Sequence, residues 1–287
     1  EEVTPMLSLA YHLPQDWLDR TGFDAGMFYL SYAEGFKSGT FEPIGVDGQA
    51  TVEPETVENY EFGFKLDFLD ARMRLNGAVF RTNFDDMQLR QVVLDSGNSP
   101  RVVLNNASKT RITGTELEWS WTPVDNLLVN ATFSYNDYEY LEFEEAQFSS
   151  VALFNQEPLP LVSREDEPFA EVPEMTWSLA VQYRHESSIG TWIPRVDYSY
   201  VDEIFMGLDA GAGQNEDQAT FDDYGLLNLR LGWLSPEGHW EGALYVNNAT
   251  DEFYYFGAAA VGDSTGSFQT TSAPPRMYGV EFRYNFF

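Results

Sequence analysis

Apolar and polar residues alternate with a period of two along most of this sequence. In residues 60–68, every second side chain is Tyr, Phe or Leu, and those between are mostly charged. The same alternation returns in 127–136, 175–184 and 280–286. This period predicts β-strands with one apolar and one polar face. The predicted strands cover residues 3–13, 24–36, 56–69, 72–93, 100–121, 126–142, 172–186, 191–206, 219–234, 239–256 and 273–287.

The lengths of these strands and of their connections indicate the class of fold. Strands 72–93 and 100–121 far exceed the roughly five or six residues usual in soluble sheets. Tight turns alternate with longer polar segments along the chain. The turns are 69–72, 122–126, 186–190 and 235–239, and the longer segments are 37–55, 143–171, 207–218 and 257–272. Long strands with short turns on one side and long loops on the other predict an all-β fold, a transmembrane antiparallel β-barrel.

The composition narrows the classes of function. The chain has 46 Asp and Glu against 16 Lys and Arg, a net charge of −30, which argues against nucleic-acid binding because phosphates attract basic side chains. It has no Cys, so disulfides and thiolate metal sites are excluded. The three histidines are far apart, and no nucleophile lies beside a base in a recognisable pattern. We therefore predict no metal site, no cofactor and no enzymatic activity.

An odd number of strands raises the question of closure. Single-chain bacterial barrels have even strand counts, and an open sheet edge in lipid leaves backbone groups unpaired. Either these residues belong to a longer chain or two copies close one barrel, and we favour the first interpretation.

Four segments carry a family resemblance. YLSYAEGFKSGTF (29–41), VEPETVENYEFGFK (52–65), LYVNNATDEFY (244–254) and PPRMYGVEFRYNFF (274–287) resemble, in this order, segments from the C-terminal half of TonB-dependent outer-membrane receptors. Ala249 departs from the common Leu of the third segment, and Phe287 lies one residue beyond the usual terminal Phe.

The resemblance implies a fold, a function and partners. It implies that residues 1–287 are the C-terminal part of a 22-stranded receptor barrel, with about eleven strands and no plug domain in this chain. It implies import of a scarce nutrient, most often a ferric siderophore, across the bacterial outer membrane. The implied partners are the TonB complex, contacted through an N-terminal part not seen here, the barrel-assembly machinery, membrane lipid and lipopolysaccharide.

The resemblance also directs attention to two sets of residues. Aromatic side chains in the outer loops are candidates for contacting the ligand: Phe41, Tyr140, Phe143, Phe154, Tyr254, Tyr255 and Phe256. The last strand is a candidate assembly signal: Val280, Phe282, Tyr284, Phe286 and Phe287. Charges on polar strand positions are expected to pair across strands or with a plug: Glu61, Lys65, Asp67, Arg72, Arg74, Glu116, Glu118, Arg230, Glu281 and Arg283.

Two other interpretations stay open at this point. A passive, porin-like channel predicts ion passage without energy coupling. A soluble all-β binding protein predicts that the apolar faces pack together in a central core, with Phe62, Leu179 and Phe282 in contact there.

Overall fold

The computed structural model describes residues 3–41, 51–94, 100–146, 161–163, 165, 168–206, 220–260 and 268–286, and most of these residues form β-strands. The elements are β1 (Met6–His12), α1 (Gln15–Thr21), β2 (Phe23–Lys37), β3 (Thr40–Phe41), β4 (Thr51–Val52), β5 (Glu55–Phe68), β6 (Met73–Leu94), β7 (Pro100–Trp121), β8 (Leu127–Ala146), β9 (Leu161–Ser163), β10 (Met175–Tyr183), β11 (His185–Ser187), β12 (Gly190–Val201), β13 (Ile204–Phe205), β14 (Thr220–Phe221), β15 (Tyr224–Leu234), β16 (Trp240–Asn247), β17 (Tyr255–Ala260), β18 (Phe268–Ser272) and β19 (Met277–Tyr284).

The sheet runs through the chain in sequence order. Its path is β1-β2-β5-β6-β7-β8-β10-β12-β15-β16-β19, all antiparallel, with β9 and β11 pairing beside it. Three small two-stranded sheets, β3–β4, β13–β14 and β17–β18, lie within the long connections. This confirms the predicted antiparallel barrel wall of about eleven strands. Among the described residues, the outer edges of β1 and β19 have no strand partner, so the sheet is not closed.

One face of the sheet is an apolar surface. Leu30, Phe62 and Val79 lie side by side across β2, β5 and β6, and all three are exposed. The closing strands repeat the arrangement with Leu231, Leu244 and Val280. Exposed apolar residues in register across a whole sheet are the pattern of a lipid-facing wall, not of a central core.

Aromatic side chains border this apolar face at both ends. At the end with the long connections, called the outer end here, the rings of Tyr32 and Tyr60 lie 5.0 Å apart. At the short-turn end, the ring centroids of Trp119 and Trp121 are 5.6 Å apart, and those of Trp240 and Tyr284 are 4.3 Å apart. Such belts mark the two membrane–water interfaces of a barrel.

Glycines opposite aromatic rings recur in the sheet. In four directly opposed pairs the ring lies over the glycine backbone, where a Cβ atom would stand. The pairs are Tyr29 with Gly63, Phe64 with Gly77, Phe80 with Gly114, and Tyr245 with Gly279. The absence of a side chain on one strand thus makes room for a large one on the next.

The predicted strand 172–186 is divided in the structure. Pairing between β10 and β12 ends at Gln182 and Arg195, and it resumes in β11 at His185 and Trp192. Pro194 stands in this gap, and proline has no N–H to donate to a neighbouring strand. The continuous strand was a wrong prediction because the proline lies on the neighbouring strand, which the local alternation does not reveal.

Other boundaries also differ from the sequence prediction. The strand predicted at 239–256 stops at Asn247, because the Asn248 side chain turns the chain by bonding twice to Glu252. The predicted turn between β1 and β2 contains the helix α1, and Leu18 is its buried residue. Arg72 lies in the turn before β6, not on a strand, and its Nη2 is 3.0 Å from Asp125 Oδ1 in the next turn.

Candidate functional site

The outer end of β8 carries an aromatic cluster. Tyr140 stacks on Phe169, with ring centroids 4.2 Å apart, and Tyr138 stacks on the same ring at 5.2 Å. Phe143 completes the cluster at 5.0 Å from Tyr140. Tyr140 and Phe143 are almost wholly buried. The cluster therefore joins the outer end of the wall to the segment that returns to β10.

Strand register explains why Tyr138, Tyr140 and Phe143 of β8 all point to the inner side of the sheet. Thr132 faces the inner, polar surface, where its hydroxyl is 2.7 Å from that of Ser178. Tyr138 and Tyr140 follow at even spacing and share that side. The pairing with β7 shifts between Lys109 and Thr110, and this bulge brings Phe143 opposite the buried Ser108. A uniform alternation would not have placed Phe143 beside Tyr140.

A small cavity of about 140 Å³ adjoins the cluster. Its walls include the rings of Tyr138, Phe169 and Phe205 and the carboxylates of Glu174 and Asp202. Burial raises the pKa of the Tyr138 phenol. The cavity is thus a pocket with aromatic walls and an acidic rim.

Two ion pairs join β7 to β8 on the other face of the sheet, near this aromatic cluster. Lys109 Nζ lies 3.2 Å from Glu142 Oε1, and Arg111 Nη1 lies 3.3 Å from Glu139 Oε2. The hydrogen bond to Glu142 raises the pKa of Lys109. These pairs are solvent-exposed, so they fix the register of β7 on β8 more than they add stability.

A second outer cluster lies after β16. Tyr254 stacks on Tyr224 with a centroid distance of 4.3 Å, and Tyr255 packs against Phe221 at 4.8 Å. Phe256 is 67% exposed. Two predicted ligand-contacting tyrosines are therefore packed at the rim of the wall, and the adjacent phenylalanine is open to solvent.

Two of the sequence segments that carried the family resemblance meet at this cluster. The backbone N–H of Arg276 donates to Asp251 Oδ1 at 3.0 Å, and the Arg276 guanidinium lies 3.6 Å from Asp251 Oδ2. Asn228 also accepts a hydrogen bond from the Asn248 N–H, at 2.9 Å. Asp251 and Arg276 are 25 residues apart in the chain, and together the two segments fix the path of the chain out of β16 and back into β19.

The remaining predicted ligand-contacting residues do not join these clusters. Phe41 ends β3 and is exposed. Phe154 lies outside the described residues. The structure therefore does not gather the seven aromatic residues into one site but distributes the described ones over three places along the outer rim.

The inner face carries paired charges. Arg230 Nη2 lies 2.6 Å from Glu281 Oε2, and Arg283 Nη1 lies 3.5 Å from Glu241 Oε2, both across strand boundaries. Arg74 forms two hydrogen bonds to Asp67, at 2.7 and 3.0 Å. A cavity of about 770 Å³ opens beside Arg230 and Arg283. Several of the charges predicted on polar strand positions thus pair across strands.

Potential metal ligands are not clustered in the part of the chain that the structure describes. Its His, Asp and Glu residues form no group of three or more that could hold a metal ion. None of its helices is long and apolar enough to span a membrane.

Comparison with known proteins decides the family. Residues 1–249 match the family described as TonB dependent receptor-like, beta-barrel. The chain belongs to this family. Family members are receptors rather than enzymes, and the chain is a segment of an outer-membrane β-barrel.

Individual receptors resemble the chain over all or part of its length. It is 25% identical over 299 residues to the pesticin receptor of Yersinia pestis, covering 100% of this chain and 36% of that protein. It is 30% identical over 122 residues to a probable TonB-dependent siderophore receptor, PiuA, of Acinetobacter baumannii, covering 40% of this chain and 15% of that protein. The chain thus spans about a third of the length of the receptors that it matches end to end.

Solved structures of TonB-dependent receptors share the fold. The crystal structure of the ferric yersiniabactin uptake receptor FyuA from Yersinia pestis superposes with a TM-score of 0.72 and 22% identity, covering 98% of this chain and 37% of that one. The family match, together with the exposed apolar face, shows that the soluble all-β interpretation was wrong. The exposed Phe62, Leu179 and Phe282 agree with a receptor wall in lipid.

The last described strand of this receptor barrel presents one apolar row. Val280, Phe282, Tyr284 and Phe286 are all exposed, and the Tyr284 and Phe286 rings meet edge to face at 4.8 Å. β19 pairs only with β16 among the described residues. Phe287 lies outside them. The row has the single apolar face that was predicted for an assembly signal, and its role in assembly remains a prediction.

Proposed function

We propose that this chain forms part of the wall and the outer rim of a receptor that imports a ferric siderophore across the outer membrane, driven through the TonB complex. The observation that carries the proposal is the fold match over 98% of the chain to a ferric yersiniabactin uptake receptor. On this proposal, residues 1–287 are the C-terminal part of the barrel, and the plug and the TonB contact belong to other parts of the polypeptide.

The outer rim is the surface on which the ligand is first met. Ligand sites combine apolar or aromatic walls with a few polar groups that fix orientation. The cavity beside Tyr138, Phe169 and Phe205 has this character, and the exposed Phe41 and Phe256 offer rings to a ligand above the rim. Tyr140, Phe143, Tyr254 and Tyr255 then support these surfaces from beneath, because they are packed against other rings.

The inner face and the last strand have separate roles in the proposal. The paired charges around Arg230, Glu281 and Arg283 form a polar surface for a plug inside the barrel. The row from Val280 to Phe286, with Phe287, is read by the barrel-assembly machinery. Membrane lipid and lipopolysaccharide cover the apolar face.

Uptake of radioactive iron tests the function. The full polypeptide that contains these residues is expressed in an iron-starved host that lacks its own siderophore receptors. Uptake of a ferric siderophore is expected only in a host with TonB. A passive channel would give equal uptake, or equal leakage of small ions, with and without TonB, and that result would contradict the proposal.

A further inference from the structure

The short turns of the wall present large apolar side chains to the surroundings. Four of the five short connections of the main sheet carry one such residue, and each is more than half exposed: Trp17 54%, Leu69 55%, Val124 54% and Ile189 63%. The fifth, residues 235–239, has the sequence SPEGH and contains no Val, Leu, Ile, Phe or Trp. Single exposed apolar residues are ordinary, but one at the tip of four neighbouring turns on one rim is a pattern.

The local contacts of two of these residues place them next to the lipid-facing surface. The carbonyl oxygen of Ile189 accepts a hydrogen bond of 3.0 Å from the indole Nε1 of Trp233. Trp233 lies opposite Trp192, with ring centroids 6.4 Å apart, in the aromatic belt of the apolar face. Leu69 directly follows Phe68, whose ring packs against Phe23 at 5.1 Å. The tips therefore continue the apolar face beyond its aromatic border.

The other two tips lie close in sequence to the same surface. Val124 lies three residues after Trp121, which stacks on Trp119. In α1, Leu18 is buried and the adjacent Trp17 is exposed. Arg72 and Asp125 tie the second and third of these turns together with a 3.0 Å ion pair.

The charge of the short connections, which form the short-turn rim of the wall, also suits a membrane surface. The long connections 38–54, 95–99, 147–174, 202–223 and 248–276 contain twenty acidic and two basic residues. The short connections 13–22, 69–72, 122–126, 184–189 and 235–239 contain six acidic and three basic residues. The long connections thus carry a net charge of −18 and the short connections a net charge of −3, so an anionic lipid layer would be repelled far less by the short-turn rim.

We propose that Trp17, Leu69, Val124 and Ile189 insert into the headgroup layer of the phospholipid leaflet on the short-turn side of the membrane. Amphipathic and aromatic groups are stable at this depth, because an apolar side chain leaves water there while nearby backbone groups still find polar partners. The four tips then act as anchors that fix the depth of the wall in the bilayer, and the fifth turn remains in water.

The absence of Cys from these residues gives a direct test. Single variants L69C, V124C and I189C are made in the full polypeptide, with any cysteine elsewhere replaced, and labelled with an environment-sensitive fluorophore. The protein is reconstituted in nanodiscs of phosphatidylethanolamine and phosphatidylglycerol. The matched control is E237C, which labels the tip of the fifth turn.

We expect the quenching of the fluorophore to differ between the three apolar tips and the control turn. Spin labels carried near the lipid headgroups should quench the fluorophore at positions 69, 124 and 189 several-fold more strongly than at 237. Aqueous iodide should show the reverse order. If iodide quenches all four positions equally and headgroup spin labels quench none of them, the tips stand in water and the proposal is overturned. Either result leaves the uptake experiment, and hence the proposed function, unaffected.

Discussion

The substitution Gly77→Ala is expected to destabilise the barrel wall through one identified clash. Gly77 lies on β6 opposite Phe64 of β5 and Leu117 of β7, all on the lipid-facing side. A Cβ atom at position 77 would stand 2.5 Å from Phe64 Cζ and 2.8 Å from Leu117 Cδ2. Both approaches are shorter than carbon atoms tolerate, and they come from opposite strands, so a shift away from one neighbour worsens the contact with the other.

The magnitude follows from two opposing effects. Extra atoms forced into a packed position typically cost about 1–3 kcal/mol. Replacing glycine by alanine also restricts the unfolded chain, which stabilises the folded state by about 0.4–1 kcal/mol where the backbone tolerates it. For Gly77 the clash is the larger effect, and the free energy of unfolding is expected to fall by about 1–2 kcal/mol.

Gly242 on β16 supplies a matched control on the same face. There a Cβ atom would lie 3.8 Å from the Glu281 carbonyl oxygen and 3.9 Å from Trp233 Cε3, which are ordinary contacts. Gly242→Ala should therefore be neutral or stabilise the wall by up to about 1 kcal/mol. The two substitutions are chemically identical, and only Gly77→Ala is predicted to destabilise the wall.

Urea unfolding of the full polypeptide in detergent or lipid, followed by the fluorescence of its tryptophans, measures both variants. The double variant Phe64→Ala with Gly77→Ala adds a cycle, because a clash with the ring should disappear once the ring is removed. Equal shifts for Gly77→Ala and Gly242→Ala, or a Gly77→Ala effect that is unchanged without the Phe64 ring, would refute the reasoning.

Three further predictions concern the outer end. Asp251→Ala should lower the free energy of unfolding, measured by the same urea titration, by about 1–3 kcal/mol, because the N–H of Arg276 loses a charged acceptor. The control Thr250→Ala, in the same turn, should have little effect. Phe169→Ala should expose Tyr140 and speed proteolysis of the connection between β8 and β10, while cleavage at the short turns stays unchanged. Equal acceleration in that connection and at the short turns would indicate general unfolding instead. Because the long connections are strongly acidic, a cationic ferric chelate should associate faster than an anionic one at low salt, and stopped-flow measurements should show the gap closing at high salt; a gap independent of salt would contradict this.

The sequence by itself determined the class of fold. The period of two in 60–68 and 280–286 is a property of neighbouring residues, and it set both strand type and the apolar side without reference to the rest of the chain. The order of short and long connections then indicated the antiparallel wall, because tight turns can only join adjacent strands. Most predicted strands overlap the observed ones closely, as 72–93 does with Met73–Leu94.

Only the tertiary structure decided what lies opposite each strand. Pro194 interrupts the pairing of a different strand, and the bulge in β8 after Tyr140 turns Phe143 to the same side as Tyr140. The meeting of Asp251 with Arg276 depends on strands that are adjacent in space but separated by a long connection. No local pattern encodes these relations, because they depend on cross-strand register. Register is a property of pairs of strands, so the way in which the outer aromatic side chains group together emerged only with the folded sheet.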